Sequence, residues 1–203
     1  MFTEPFYFIR HGVTDYNRSR LVMGQIDIPL NEEGRMQARR AVFHLAGRGI
    51  ASIYASPLSR ALETATILGD ALGVSVTVLD DLRERNWGVY EGRDRSLRPL
   101  SADPEGGETL EAFTRRTLNA IRMASGPVSY LFVAHNGTCR VLRRLFGLHT
   151  AEELVPNAVP LYFHPQWNGH DWQEQSLSPA PPSPQSRHGQ IDSRDCDEDT
   201  TRV

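Results

Sequence analysis

Two short apolar runs constrain what this chain can fold into. Phe6-Tyr7-Phe8-Ile9 stops abruptly at Arg10-His11-Gly12, and Tyr130-Leu131-Phe132-Val133-Ala134 stops at His135-Asn136-Gly137. Continuous apolar runs of this length, bounded by polar turns, read as strands buried on both faces. Such strands require helices on either side of their sheet. The sequence supplies them between the strands.

Asn31-Glu32-Glu33-Gly34 opens a helix, with Asn31 as N-cap and two acids suiting the positive helix end. Small and apolar residues from Met36 to Ala46 give it one face, and Gly47 and Gly49 end it near Arg48. Ser52-Ile53-Tyr54-Ala55 reads as a short buried strand. Ser56-Pro57 then starts a second helix, with Pro57 in its first turn, that stops at Gly73. Val74 to Leu79 alternates and is β-branched, so it predicts a strand. Helices are expected over 108–123 and 138–146. Pro160 to His164 and Asp171 to Glu174 flank Trp167-Asn168-Gly169-His170, a hairpin signal. Strands alternating with helices predict an α/β fold: three layers, α/β/α, with a mainly parallel central sheet.

At 203 residues with 39% hydrophobic residues, the chain has room for one sizeable core. From about Gln175 the composition turns to Ser, Pro, Gln, Arg and Asp, too little apolar surface to offset the entropy of ordering. A folded domain over 1–174 and a disordered tail over 175–203 are expected. A net charge of -3 argues against general nucleic-acid binding, which depends on neutralising phosphates. No apolar run approaches a membrane span, and no basic, apolar leader precedes the first strand, so the expected location is the cytoplasm. Cys139 and Cys196 lie too far apart in the chain to suggest a disulfide framework. His44, His149, His164 and His170 lack the paired spacing of a zinc site, and neither metal nor organic cofactor is expected.

Ligands of open α/β sheets bind outside the carboxyl ends of the strands. His11 and His135 both end apolar strands, and they share one edge if those strands are near neighbours. The Ile53–Ala55 strand delivers Arg60, in the first helical turn after Ser56, to the same edge, where helix N–H groups already favour an anion. Arg10, Arg60 and His135 could surround one anion beside His11. A phosphoryl group suits such a pocket, because guanidinium groups stabilise charge spread over its equatorial oxygens. Histidine can then act as a covalent nucleophile, provided the attacking nitrogen is unprotonated and the other nitrogen donates to a carbonyl. The leaving oxygen needs a proton, and two glutamates in the charged loop after Leu79, Glu84 and Glu91, compete for that role.

The chain resembles the histidine phosphatase superfamily, in the branch that includes cofactor-dependent phosphoglycerate mutases and small acid-type phosphatases. The resemblance rests on six blocks in the family's order. They are Arg10-His11-Gly12-Val13-Thr14 with Asn17; Gly24-Gln25-Ile26-Asp27-Ile28-Pro29-Leu30; Ser56-Pro57-Leu58-Ser59-Arg60 through Ala65; Leu82-Arg83-Glu84 through Gly92; Gly106-Gly107-Glu108-Thr109; and Val133-Ala134-His135. It implies a phosphoglycerate mutase-like fold, a phosphohistidine on His11, a phosphoryl group held by Arg10, Arg60 and His135, and Glu84 rather than Glu91 as proton donor. It further implies that Asn17 contacts phosphate and that Thr14 and Gln25 border the pocket. Asn136 departs from the family's usual glycine after the second histidine, which points to an effect on substrate choice.

Mutases of the family carry a longer insertion after the acid loop, whereas here only Arg93 to Gly107 separates Gly92 from Glu108. The expected activity is hydrolysis of a small phosphorylated metabolite. The alternatives are a mutase-type phosphotransferase and, less favoured, a non-catalytic phospho-ligand binder. Arg83, Arg85, Arg93, Arg95 and Arg98 suggest either a polyanionic substrate or merely a solvated basic loop. Oligomeric state is not legible in the sequence.

Overall fold

A computed structural model of the protein describes residues 4–99, 102–124, 129–148, 153–166 and 171–177. Six strands form one sheet: β1 (Phe6–Arg10), β2 (Ser52–Ala55), β3 (Val76–Val78), β4 (Tyr130–Ala134), β5 (Pro160–Pro165) and β6 (Trp172–Ser176). Their order is β3-β2-β4-β1-β5-β6. The first four are parallel, whereas β5 runs antiparallel to β1 and β6 antiparallel to β5.

β1 and β4 are buried at every position because the sheet is covered twice. Phe6 and Phe8 of β1, with Tyr130 and Phe132 of β4, pack on one face with Ile121, Ala124, Cys139 and Leu142. Tyr7 and Ile9, with Leu131 and Val133, pack on the other with Ala41, Leu45, Ala65 and Leu68. Those partners sit on α4 (Leu110–Ala124) and α5 (Asn136–Leu145) on the first side, and on α2 (Glu32–Leu45) and α3 (Ser59–Leu72) on the second. The three-layer α/β/α expectation holds. The short helix α1 (Asp15–Arg18) lies in the loop after β1.

Local chemistry accounts for most boundaries. Asn31 caps α2 as expected, its side-chain oxygen accepting from the Gly34 N–H at 3.0 Å. α3 departs from expectation: it begins at Ser59, so Pro57 precedes the helix. Its cap comes from a distant loop, where Asp27 accepts from the Ser59 N–H at 2.7 Å and from its hydroxyl at 2.6 Å. β3 is shorter than the alternating run, because the Val74 N–H is used in closing the end of α3 through the Gly69 carbonyl. α5 starts at Asn136, with His135 itself at the N-cap. The two strands of the expected hairpin pair with each other. Residues 167–170 between them, the tail from 178 onward, and with them His149, His170 and Cys196, lie outside the described residues. The last strand runs to Ser176, past the boundary expected near 174.

Candidate active site

β1 and β4 are neighbours with Arg10 opposite Ala134, so their carboxyl ends coincide. The His11 N–H donates to the Ala134 carbonyl at 3.0 Å, and the Ser56 N–H donates to that of Val133 at 3.1 Å. Three strand ends thus deliver His11, His135 and the segment leading to Arg60 to one place. The two imidazole centroids are 5.3 Å apart, with their planes at 59°.

His11 is 2% exposed, and its Nδ1 lies 2.7 Å from the Gly12 carbonyl. A carbonyl can only accept, so Nδ1 carries the proton and Nε2 keeps its lone pair. Burial, reinforced by the charges of Arg60 and Arg10, holds this histidine well below its ordinary pKa. His135 is fully buried and is shifted the same way, chiefly by burial and then by Arg60, His11 and Arg10. Its Nε2 meets the Ser56 hydroxyl at 2.8 Å, and its Nδ1 has no partner among the described residues. The Ser56 oxygen also accepts from the Leu58 N–H at 3.3 Å. In the tautomer in which the Ser56 hydroxyl donates to Nε2, Nδ1–H is the free donor.

Arg10 and Arg60 are 4% and 0% exposed, and neither forms an ion pair among the described residues. Backbone carbonyls hold them instead. Arg10 Nη1 donates to Val155 at 2.7 Å, while Arg60 donates to Ile26 at 2.9 Å and to Gly24 at 2.7 Å. The Nε of each is buried without a partner. Burial lowers both guanidinium pKa values to about 10, so both remain cationic at neutral pH. Two buried cations with no carboxylate in direct contact, favoured only at a distance by Glu84 and, for Arg60, by Asp27 and Glu91, make a site for an anion.

Glu84 lines the same cavity, which has a volume of about 420 Å³. Its Oε1 accepts from the Arg85 N–H at 2.8 Å and its Oε2 from the Gly137 N–H at 3.1 Å. Position 137 must be glycine for this approach: a Cβ there would stand 2.1 Å from Glu84 Oε1. Glu91 has another task. Its Oε1 accepts from the Gln25 and Trp87 N–H groups at 2.9 Å each, tying two loops together. Gly24 packs so closely on it that a Cβ would lie 1.9 Å from that oxygen, and Gly24 also has φ +53°.

The other expected pocket residues divide. Asn136 lines the cavity, and its amide oxygen accepts from the Val155 N–H at 3.0 Å. Because the Val155 carbonyl holds Arg10, Asn136 helps to place that guanidinium. Thr14, Asn17 and Gln25 are not among the lining residues described. Thr14 and Asn17 form a reciprocal cap on α1, and Gln25 donates to the Glu84 carbonyl at 3.1 Å, so they shape the loops behind the wall. Of the basic-loop residues, Arg85, Arg95 and Arg98 line the cavity, while Arg93 does not and Arg83 pairs with Asp80 at 2.7 Å.

Several supporting residues escaped the sequence reading. Arg116 holds the acid loop from α4, donating to the carbonyls of Asp81, Arg83 and Glu84 while paired twice with Glu108 at 2.7 Å. Asn157 donates to the His11 carbonyl at 2.9 Å. Thr64 accepts from the Gly12 N–H at 3.1 Å and donates to the Arg60 carbonyl at 2.7 Å. Only Thr64 had a signal, being one turn after Arg60 on a helix. Among the described residues, no three His, Cys, Asp or Glu side chains are grouped to hold a metal ion.

The family model described as "Histidine phosphatase superfamily (branch 1)" matches residues 6–158. The chain belongs to this superfamily. A mycobacterial glucosyl-3-phosphoglycerate phosphatase, solved with VO3, superposes with a TM-score of 0.71 at 28% identity, covering 85% of this chain and 96% of that one. Fructose-2,6-bisphosphatase TIGAR B of Danio rerio is 40% identical over 131 residues, which are 57% of this chain and 51% of the relative. A protein of Rhizobium rhizogenes named agropine synthesis reductase is 35% identical over 175 residues, 80% of this chain. The match spans 40% of the length of that protein. The family match thus runs from β1 to beyond the second histidine. No helix among the described residues is long and apolar enough to cross a membrane.

Proposed function

We propose that this histidine phosphatase family member hydrolyses phosphomonoesters of small metabolites through a phosphohistidine on His11, with Glu84 as proton donor. One observation carries the reading: Nδ1 of His11 is committed to the Gly12 carbonyl, so its Nε2 lone pair is presented beside two buried guanidinium groups that make no ion-pair contact among the described residues and keep an unpartnered Nε each. The phosphoryl oxygens supply that contact. Nε2 attacks phosphorus as the P–O ester bond breaks, and Glu84 gives its proton to the departing oxygen. Water then attacks the phosphohistidine, Glu84 takes a proton from it, and the P–N bond breaks to release inorganic phosphate. Arg10, Arg60 and the Nδ1–H of His135 stabilise the equatorial oxygens in both steps.

The short segment over 93–107 favours water over a second hydroxyl as the acceptor. Among its described residues the only helical element is one turn of 3-10 helix at Arg95–Leu97, a short cover for the cavity. In vitro, His11→Ala should lose phosphatase turnover and acid-labile phosphate incorporation together, on the order of 10⁴-fold or more in kcat. Unchanged hydrolysis by that variant refutes the nucleophile assignment. Efficient isomer interconversion of phosphoglycerates without phosphate release would favour the mutase alternative instead.

A further inference from the structure

One of the six sequence blocks, Gly106-Gly107-Glu108-Thr109, contributes nothing to the cavity lining described. It faces the loop that carries Glu84 instead. The Glu108 N–H donates to the Asn86 carbonyl at 2.9 Å, and Arg85 Nε donates to the Glu108 carbonyl at 2.8 Å. Beside them the Val89 N–H donates to the Glu105 carbonyl at 3.1 Å. The two segments lie so close that a Cβ at Gly107 would stand 2.8 Å from the Asn86 oxygen.

The Glu108 side chain grips Arg116 of α4 with both oxygens, at 2.7 Å each. The other N–H groups of this guanidinium reach the carbonyls of Asp81 at 2.8 Å, Arg83 at 2.7 Å and Glu84 at 3.0 Å. A guanidinium has five N–H donors, and Arg116 uses two on Glu108 and three on the acid loop. The two side chains are only 19% and 16% exposed, so breaking the pair leaves poorly solvated polar groups without partners. The loop depends on such a hold. Over 80–92 its helical elements are two single turns of 3-10 helix, Asp80–Leu82 and Gly88–Tyr90, and Glu84 lies between them. Its carboxylate then bridges N–H groups of two separate segments, at Arg85 and Gly137.

Resting on the hydrolase reading above, we infer that Arg116 and Glu108 are positioning residues for the proton donor. Neither lines the cavity. They act by fixing the backbone from which Glu84 reaches the leaving oxygen, a transfer that needs heavy atoms within about 2.6–3.2 Å. Glu108 orients the guanidinium, and Arg116 joins three carbonyls of the acid loop to α4. Lysine cannot substitute, because three donors on one nitrogen cannot meet five acceptors around a plane. The clamp should therefore matter in proportion to how much the leaving group needs a proton.

Single-turnover incorporation of acid-labile phosphate isolates the step in which Glu84 acts as acid. With glycerol 3-phosphate, Arg116→Gln should slow this step by about 10²-fold, the cost of a displacement near 1 Å. With p-nitrophenyl phosphate, whose leaving group needs little protonation, the loss should stay within about threefold. Arg116→Lys should show the same split. Glu108→Gln keeps the shape of its side chain and should show the split at about tenfold, which also serves if the Arg116 variants do not fold. Equal losses on both esters, or no loss on either, overturn the positioning role, because general structural damage falls on both alike. Should the wild type incorporate phosphate from neither ester, the hydrolase reading fails. The Gly137 amide resonance of the full chain then still tests the clamp. It should move in Arg116→Gln toward its position in Glu84→Gln, and an unmoved resonance overturns the clamp.

Discussion

The floor and the rim of the cavity present the same charge by opposite constructions. On the floor, Arg10, His11, Arg60 and His135 come from strand ends and a helix start, and each is at most 4% exposed. Backbone carbonyls or a buried hydroxyl hold each of them. On the rim, Arg20, Arg95 and Arg98 come from loops that lean on each other through a few backbone bonds, and their side chains are partly exposed. The difference teaches where each property resides. Rigid elements place groups that must meet a reacting atom, whereas loops carry the surface that meets the rest of the ligand.

Variants on the two sides should therefore differ in kind. Arg60→Gln removes a floor cation and two carbonyl bonds, so kcat should fall by about 10²–10³-fold on every ester, whatever its alcohol. Initial rates across a substrate panel check this, and a loss that varied widely with the rest of the molecule would erase the distinction between floor and rim. Gly137→Ala comes next. Its new Cβ would displace Glu84, and since a 1 Å misplacement can cost ~10²-fold, kcat should drop by about that factor on alkyl phosphates. The loss on p-nitrophenyl phosphate should be smaller, because its leaving group needs less help from an acid.

Asn136→Ala breaks only the link through Val155 to Arg10, and kcat/KM should fall roughly two- to tenfold, as one net hydrogen bond implies. Equal effects across the panel of esters would assign Asn136 to the floor; a selective effect would move it to the rim. The smallest effect concerns stability. Both floor histidines sit well below the ordinary value near 6.5. Below pH 6.5 the unfolded chain binds protons that the folded floor refuses, so stability should fall with pH by at most about 1.4 kcal/mol per unit and per histidine. Above that value these groups add no slope, and the arginines, cationic throughout, add none in either range. Melting temperatures at pH 7.5 and 5.5 read the effect, which His135→Gln should reduce.

Much of the floor was legible because it is written locally. A strand that ends in histidine announces itself by an apolar run that stops, and an arginine after Ser56-Pro57 lies at a helix start whatever surrounds it. The choice between Glu84 and Glu91 was not legible from the residues themselves. Both lie in one charged loop, and only the fold shows Glu91 spent on Gln25 and Trp87 while Glu84 faces the cavity. Thr14, Asn17 and Gln25 matched family blocks, and the fold adds what a motif does not state: the first two cap α1 and the third ties its loop to the Glu84 carbonyl.

The sequence by itself determined the layers, the strand ends and the identity of the groups gathered there, since hydrophobic period and turn chemistry act over a few residues. The tertiary structure decided which cations are compensated. Arg10 reaches Val155, 145 positions away, and Arg60 reaches Gly24, 36 away. Arg95 meets Arg20 only because two loops pair. Whether a charge finds a partner depends on distances of a few ångströms between segments far apart in the chain, and no local pattern encodes them.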